Sequence, residues 1–142
     1  MNFYEFQEPY RVRYADTDQM RVVYYGNYCK FMEIGRVEAL RNLGLSYKQF
    51  EEEGFGLAVI NMNITYKHPA IYDDLIQIKT IIPEFPSKNE LIINHEIFNS
   101  QGRLLTTATV TLFYINLKTF KRTELPTILE NIFKNHQLNK ND

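Results

Sequence analysis

The spacing of hydrophobic and polar positions first predicts a long helix in this chain. Between Asn27 and Leu43 apolar residues recur every three or four positions, which indicates a helix with one broad buried face. Asn27 is a suitable N-cap and Gly44 a suitable left-handed stop. A shorter helix is predicted from Ser46, as its cap, to Glu53.

Most of the remaining chain alternates apolar and polar residues with period two, which is typical of half-buried strands. The first strand is predicted at Tyr10–Tyr14, before the long helix. Four more follow it, near residues 60–67, 76–82, 91–98 and 103–115. A last helix is predicted from Pro126 to about Asn135, with a polar C-terminal tail over 136–142.

The connections between the later strands decide the predicted fold class. Short turns join these strands, so they pair antiparallel, whereas parallel strands need long crossovers. The chain is therefore predicted as α+β, with an antiparallel β-sheet wrapped around a long central α-helix. We expect a single domain over residues 1–142.

Composition and charge exclude several classes of function. Sixteen Lys and Arg stand against 17 Asp and Glu without a basic run, so no nucleic acid partner is expected. No apolar run approaches the roughly 20 residues that span a bilayer, and the N-terminus does not resemble a signal peptide. The single cysteine cannot form an internal disulfide, which favours a reducing compartment, and a cytoplasmic location is expected.

The strongest candidate for chemistry is an acidic turn just before the long helix. Asp16 and Asp18 precede an aromatic, β-branched run that leads to the helix start. Unpaired backbone N–H groups at a helix start favour negative charge, so a neighbouring carboxylate suits a hydrolytic site without serine, cysteine or metal. Aspartate also commonly caps turns, and the local pattern leaves both interpretations open.

The segment from Asp16 to Glu38 contains the pattern DTD-x-x-x-VVY-x-x-NY-x-x-F-x-E-x-x-R-x-E. This pattern closely resembles the signature of the 4-hydroxybenzoyl-CoA thioesterase-like hotdog family, in its bacterial acyl-CoA thioesterase branch. The later strands match that family mainly in spacing. The resemblance implies a hotdog fold, hydrolysis of acyl-CoA thioesters, and Asp18 as the catalytic carboxylate. Asp18 would act as a nucleophile or as a general base.

The same resemblance suggests further site residues. The backbone N–H groups of Tyr25 and Gly26 are expected to stabilise the oxyanion. Because family members pair two sheets edge to edge, we expect a homodimer, or a homotetramer of two dimers, whose acyl pocket combines residues of both subunits. No cofactor is expected, since coenzyme A is part of the substrate. The substrate-binding candidates are Tyr24, Asn27, Val59, Ile60 and Lys88.

Several candidate residues have alternative interpretations. Tyr24 is also expected as a core residue with a satisfied hydroxyl group. Val59 and Ile60 would come from the partner subunit, and Lys88 would meet the phosphates of coenzyme A, with Lys67, His68 and Arg103 as possible helpers.

Two positions depart from the family pattern. Arg21 stands where the family usually has glycine, and Tyr25 stands where many relatives have histidine. Arg21 either lies outside the tight turn with its guanidinium near Asp18, or is exposed without catalytic consequence. These departures keep open a hotdog protein that binds acyl thioesters without turnover. A thioesterase for acyl carrier protein is a second alternative, although an acidic carrier would favour a basic rim and the sequence shows no obvious one.

The long helix carries further residues of interest. Glu33 is expected to pair with Arg36 rather than to act as a second acid–base group. Gly35 predicts close packing of helix on sheet, and Cys29 is expected as a small buried hydrophobe. No metal is predicted, because neither the spacing of a calcium loop nor that of a zinc site is present.

Overall fold

An antiparallel sheet with a long helix on one face forms the computed structural model, which describes residues 1–141. The strands are β1 (Tyr4–Arg11), β2 (Phe55–Tyr66), β3 (Leu75–Ile82), β4 (Glu90–Phe98), β5 (Leu104–Asn116) and β6 (Lys121–Thr123). The helices are α1 (Tyr28–Leu43), α2 (Tyr47–Glu52) and α3 (Thr127–Asn141). Single 3-10 turns span Tyr14–Asp16 and Tyr25–Asn27. The predicted hotdog arrangement is confirmed.

The order of the strands leaves β1 and β2 at the two edges of the sheet. The order is β1-β3-β4-β5-β2, with β6 paired to the end of β5. Strand β2 bulges between Val59 and Asn61, so its side-chain alternation changes there. Within residues 1–141, β2 pairs only with β5, and its other edge is unpaired.

The core lies between α1 and the inward face of the sheet. The helix buries Phe31, Met32 and Leu40. Phe31 and Met32 are adjacent, and Leu40 follows them by nine and eight residues, so all three face the same side of the helix. At Gly35 the helix approaches β3 so closely that a Cβ atom would lie 2.8 Å from Cγ2 of Ile78. This contact confirms the predicted close packing at Gly35.

The first strand lies earlier than predicted. The alternation of Tyr10, Val12 and Tyr14 suggested a strand there, but β1 ends at Arg11 because the chain turns at Tyr14–Asp16. Tyr14 is consequently exposed. Pro9 within β1 is tolerated because an edge strand needs backbone donors on one side only.

The last helix is longer than predicted. It continues to Asn141 instead of ending near Asn135, so the expected tail is helical as far as the structure describes it, and Asp142 lies outside the described residues. The added turns bind the N-terminal segment. His136 Nε2 lies 3.1 Å from the Phe3 carbonyl oxygen, and Lys140 Nζ donates to the same oxygen at 3.1 Å. Across residues 1–141, no helix has both the length and the apolar character to cross a membrane.

Candidate active site

The chain between Asp16 and Tyr24 folds back on itself as a short hairpin. The Asp18 N–H donates to the Val22 carbonyl at 3.0 Å, and the Tyr24 N–H donates to the Asp16 carbonyl at 3.0 Å. Tyr24 directly precedes the 3-10 turn that leads into α1. The two aspartates therefore differ in position: Asp16 lies beside the helix start, and Asp18 lies at the turn of the hairpin.

Asp18 uses one carboxylate oxygen to hold the hairpin turn. Its Oδ1 accepts the Met20 N–H at 2.8 Å, which is a typical role for a turn aspartate. Among residues 1–141, Oδ2 has no hydrogen-bond donor, and the side chain is partly exposed. Asp18 can therefore hold the turn through Oδ1 and still offer Oδ2 to a substrate or a water molecule.

Arg21 occupies the left-handed position of a three-residue hairpin loop. Its φ is 67°, and its N–H donates to the Asp18 carbonyl at 3.0 Å. Loops of this length place a left-handed residue at their third position, where glycine is favoured. The hypothesis that Arg21 lies outside the tight turn is therefore wrong. No ion pair joins its guanidinium to Asp18 in the part of the chain that is described.

Asp16 is buried and ties three parts of the molecule together. Its carboxylate accepts hydrogen bonds from the Tyr10 hydroxyl at 2.8 Å, from the Arg13 N–H at 2.8 Å and from Lys30 Nζ. Tyr10 belongs to β1 and Lys30 to α1. Asp16 therefore acts as an anchor between the first strand, the acidic loop and the central helix, rather than as a second free acid.

The charge of Asp16 is stabilised by these contacts. Burial alone would raise the pKa of the carboxyl group, but the hydrogen bonds from Lys30, Arg13 and Tyr10 outweigh it and hold the pKa below its usual range. Burial acts against the charge of Lys30 too, yet the contact with Asp16 raises its pKa. Both groups are therefore charged at neutral pH.

The start of the central helix presents two unpaired N–H groups. In the 3-10 turn the first hydrogen bond runs from the Asn27 N–H to the Tyr24 carbonyl, at 2.9 Å. The N–H groups of Tyr25 and Gly26 come before it and have no acceptor among residues 1–141. Asn27 precedes α1 as predicted, but its side chain does not cap the helix and instead donates to the Asp16 carbonyl at 2.7 Å.

The two tyrosines before the helix are exposed. Tyr24 is 46% exposed and Tyr25 is 64% exposed, so the expectation of Tyr24 as a core residue is wrong. Their ring centroids are 4.8 Å apart. The Tyr24 ring also lies against Gly26, where a Cβ atom would come within 2.8 Å of Tyr24 Cε2. Both rings therefore border the unpaired N–H groups.

The other three substrate-binding candidates lie far from this cluster within one chain. Lys88 is in the loop after β3, at the end of the sheet opposite to the acidic loop, roughly 25 Å away along the strand. Val59 and Ile60 are exposed on β2, about six or seven residues before the end of the strand that contacts Tyr25, or roughly 20 Å. One chain does not bring these residues to Asp18.

The structure also decides the smaller predictions about helix α1 and the sheet end. Cys29 is exposed, so the expectation of a buried hydrophobe is wrong. Arg36 donates to the Tyr47 hydroxyl at 2.6 Å, and no ion pair with the exposed Glu33 is present in residues 1–141. No group of three or more His, Cys, Asp or Glu side chains in that range is placed to hold a metal ion.

Two residues near the site were not found from the sequence. Lys30 carries no motif that would link it to an aspartate 14 positions earlier. Tyr66 ends β2 and donates its hydroxyl hydrogen to the Tyr25 carbonyl at 3.1 Å. Both contacts join segments distant in sequence, so periodicity and local motifs contain no signal for them.

Comparison with known proteins places this arrangement in a family. Residues 12–133 match the model of the thioesterase-like superfamily. The chain is 33% identical over 134 residues to an acyl-CoA thioester hydrolase, YbgC, of Escherichia coli, covering 94% of this chain and 99% of the relative. It is 32% identical over 122 residues to an acyl-CoA thioesterase, YbgC, of Haemophilus influenzae, covering 85% and 88%.

A solved structure agrees with these sequence matches. The DHNA-CoA thioesterase from Staphylococcus aureus superposes with a TM-score of 0.88 at 31% identity, covering 96% of this chain and 93% of that protein. Both the sequence and the fold therefore match over nearly the whole length. The chain belongs to the thioesterase-like superfamily of hotdog proteins.

Proposed function

We propose that the protein hydrolyses acyl-CoA thioesters to a free acid and coenzyme A, with Asp18 as its catalytic carboxylate. The observation that carries the proposal concerns residues 1–141: Asp18 Oδ2 has no donor there, and its hairpin leads into the N–H groups of Tyr25 and Gly26, which have no acceptor there. Membership of a thioesterase superfamily supports the reaction class.

The chemistry needs one carboxylate and one site for a developing oxyanion. As a nucleophile, Asp18 bonds to the thioester carbonyl carbon and the C–S bond breaks, which releases the thiolate and leaves an anhydride for water to cleave. As a general base, Asp18 takes a proton from the attacking water. In both routes the carbonyl oxygen becomes negative and is stabilised by the N–H groups.

The hairpin geometry is compatible with either route. Two residue pairs separate Asp18 from the level of Tyr24, roughly 7 Å along the strands. A carboxylate about 3 Å from the carbonyl carbon and a donor about 3 Å from its oxygen lie roughly 6 to 7 Å apart in an extended arrangement. We propose that the substrate carbonyl lies between Asp18 and the N–H groups of Tyr25 and Gly26, which follow Tyr24 directly in the chain.

The acyl pocket is proposed to form between two subunits. The unpaired edge of β2 exposes Val59 and Ile60, which are far from Asp18 in their own chain. Antiparallel pairing of this edge with a second copy reverses the partner strand and brings these residues toward the Tyr66 end of β2. Lys88, at the far end of the sheet, is proposed to reach the coenzyme A phosphates across the same interface.

The proposal is tested by measuring thiol release from acyl-CoA esters with short, long and aromatic acyl groups. Wild type is expected to turn over at least one ester, and Asp18→Asn is expected to lose at least 100-fold in kcat, or about 3 kcal/mol of transition-state stabilisation. Asp73→Asn is the matched control, since Asp73 is an exposed turn aspartate outside the hairpin and should retain activity.

The other outcomes separate the remaining functions. Turnover of acyl carrier protein thioesters but not of coenzyme A esters would indicate the carrier-protein enzyme. Binding of esters without turnover would indicate a non-catalytic hotdog protein. Full activity in a folded Asp18→Asn variant would contradict the assigned carboxylate. A cytoplasmic location stays a prediction from the single cysteine.

A further inference from the structure

The hydroxyl group of Tyr66 contacts the peptide group that carries one of the unpaired N–H groups. It donates to the Tyr25 carbonyl oxygen at 3.1 Å. That carbonyl and the Gly26 N–H belong to the same peptide group. We infer that Tyr66 is a positioning residue that orients and polarises this peptide as an oxyanion donor, an inference that rests on the thioester hydrolysis proposed above.

Ring contacts hold the Tyr66 hydroxyl in place. The Tyr66 ring meets the Tyr28 ring edge to face at 5.2 Å between centroids, and the Tyr25 ring edge to face at 6.5 Å. Tyr28 is buried in the core at the first turn of α1. Tyr66 is the last residue of β2, so its backbone is fixed by pairing with Thr106 of β5. The donor is thus anchored by both the sheet and the helix.

The Tyr25 carbonyl oxygen receives a second hydrogen bond from inside the turn. The Tyr28 N–H donates to it as the 3-10 turn passes into α1. Two donors on one carbonyl oxygen draw electron density from the amide, which makes the N–H of the same peptide a stronger donor. They also restrict rotation of the peptide plane, so the Gly26 N–H direction is set before substrate binds.

This arrangement gives Tyr66 a role that is separate from substrate packing. The hydroxyl points to the backbone and acts through the Gly26 N–H on the carbonyl oxygen of the substrate. Every thioester develops the same oxyanion, whatever its acyl group. A positioning role therefore predicts an effect on kcat that does not depend on the acyl chain. A role in lining the acyl pocket predicts an effect on KM that changes with the chain.

The test compares Tyr66→Phe with wild type on short, long and aromatic acyl-CoA esters. Removal of the single hydroxyl should lower kcat by about 3- to 10-fold, the loss expected for one hydrogen bond, by a similar factor for each ester and with little change in KM. Tyr72→Phe is the matched control. Tyr72 is 55% exposed against 46% for Tyr66, packs edge to face on Tyr14, and its hydroxyl has no partner among residues 1–141.

An independent readout follows the peptide itself. The chain contains six glycines, so labelling with 15N-glycine gives a simple amide spectrum. The Gly26 amide resonance should shift in Tyr66→Phe, because the hydrogen bond on the preceding carbonyl is lost. It should stay in place in Tyr72→Phe.

Three results would overturn the inference: an unchanged Gly26 resonance in Tyr66→Phe, an unchanged kcat, or a loss confined to KM and dependent on the acyl group. A wild type without activity on any thioester would instead overturn the proposed function, and the inference with it. An active wild type whose kcat needs Asp18 but not Tyr66 would overturn the inference alone.

Discussion

Two aspartates only two positions apart illustrate how much is decided by the surroundings of a single residue. Asp16 is buried and accepts three hydrogen bonds through its carboxylate, whereas Asp18 is partly exposed and one of its oxygens has no donor among residues 1–141. The sequence contains the same side chain twice in one turn. The hairpin distinguishes them, because it points one carboxylate toward β1 and α1 and leaves the other at the open turn.

Arg21 leads to a prediction about stability. A non-glycine residue in the left-handed region costs about 1 kcal/mol or more, while glycine adds chain entropy to the unfolded state. We expect Arg21→Gly to raise the free energy of unfolding by about 0.5 to 1 kcal/mol, as measured by urea denaturation. Because no ion pair joins Arg21 to Asp18 in residues 1–141, the pH–rate profile should stay unchanged.

Met20→Gly is the control for this prediction. Met20 is exposed in the same loop but lacks a positive φ, so glycine there should lower stability. Equal destabilisation by both substitutions would contradict a strained backbone at Arg21. A shifted pH–rate profile in Arg21→Gly would restore the hypothesis that its charge acts on Asp18.

The packing of α1 on the sheet shows how two elements constrain each other. Gly35 lets the helix approach β3, and the space beneath it is lined by Thr80 and His95. His95 is fully buried, its Nδ1 lies 3.2 Å from Thr80 Oγ1, and its Nε2 has no partner in residues 1–141. Burial, aided by the charge of Arg36, lowers the pKa of His95 to about 3.

This buried histidine predicts a pH-dependent stability. The unfolded chain takes up a proton on His95 near pH 6.5, while the folded chain does so only near pH 3. The free energy of unfolding is therefore unaffected by this group above pH 6.5 and falls by about 1.4 kcal/mol per pH unit below it, down to about pH 3. In urea unfolding, the difference in free energy of unfolding between His95→Gln and wild type should therefore change with pH by about 1.4 kcal/mol per unit below pH 6.5.

The control for the pH prediction is Thr106→Val, at a buried side chain that carries no titratable group. Its stability should keep a nearly constant difference from wild type between pH 7.5 and 4.5. A constant difference for His95→Gln over the same range would show that His95 does not resist protonation in the folded state.

At the scale of the whole molecule, β2 forms the longer of the two sheet edges that residues 1–141 leave unpaired. The strand is 12 residues long and exposes Val59, Ile60 and Met62. Long apolar edge strands are avoided in monomers because they pair with other chains. The last residue of this strand, Tyr66, contacts the Tyr25 carbonyl oxygen at the proposed active site. Assembly and catalysis are therefore expected to depend on one strand.

The prediction at this scale concerns Val59→Lys, which places a charge on the proposed interface. Wild type should sediment as a dimer or tetramer, and the variant should shift toward the mass of one chain and lose at least 10-fold in acyl-CoA hydrolysis. Leu138→Lys is the control, since Leu138 is also apolar and exposed but lies on α3. A monomeric wild type, or a monomeric variant with full activity, would contradict the shared pocket.

The sequence by itself determined most of the helices and strands and indicated the family. The three- and four-residue spacing of α1, the alternation of β3 to β5 and the stop at Gly44 are local, and the structure agrees with them. The motif from Asp16 to Glu38 indicated the family, which the comparisons confirm. Where prediction failed, as at Tyr14 and Asn135, the element ends depend on contacts with other segments.

Only the tertiary structure decided which atoms meet. The anchoring of Asp16 by Lys30, the hydroxyl of Tyr66 on the Tyr25 carbonyl and the exposure of Cys29 depend on how distant segments pack. Local sequence encodes backbone preference and the side of an element that is apolar, because those depend on near neighbours. Hydrogen bonds between residues 14 or 41 positions apart form only once the sheet and helix have been assembled.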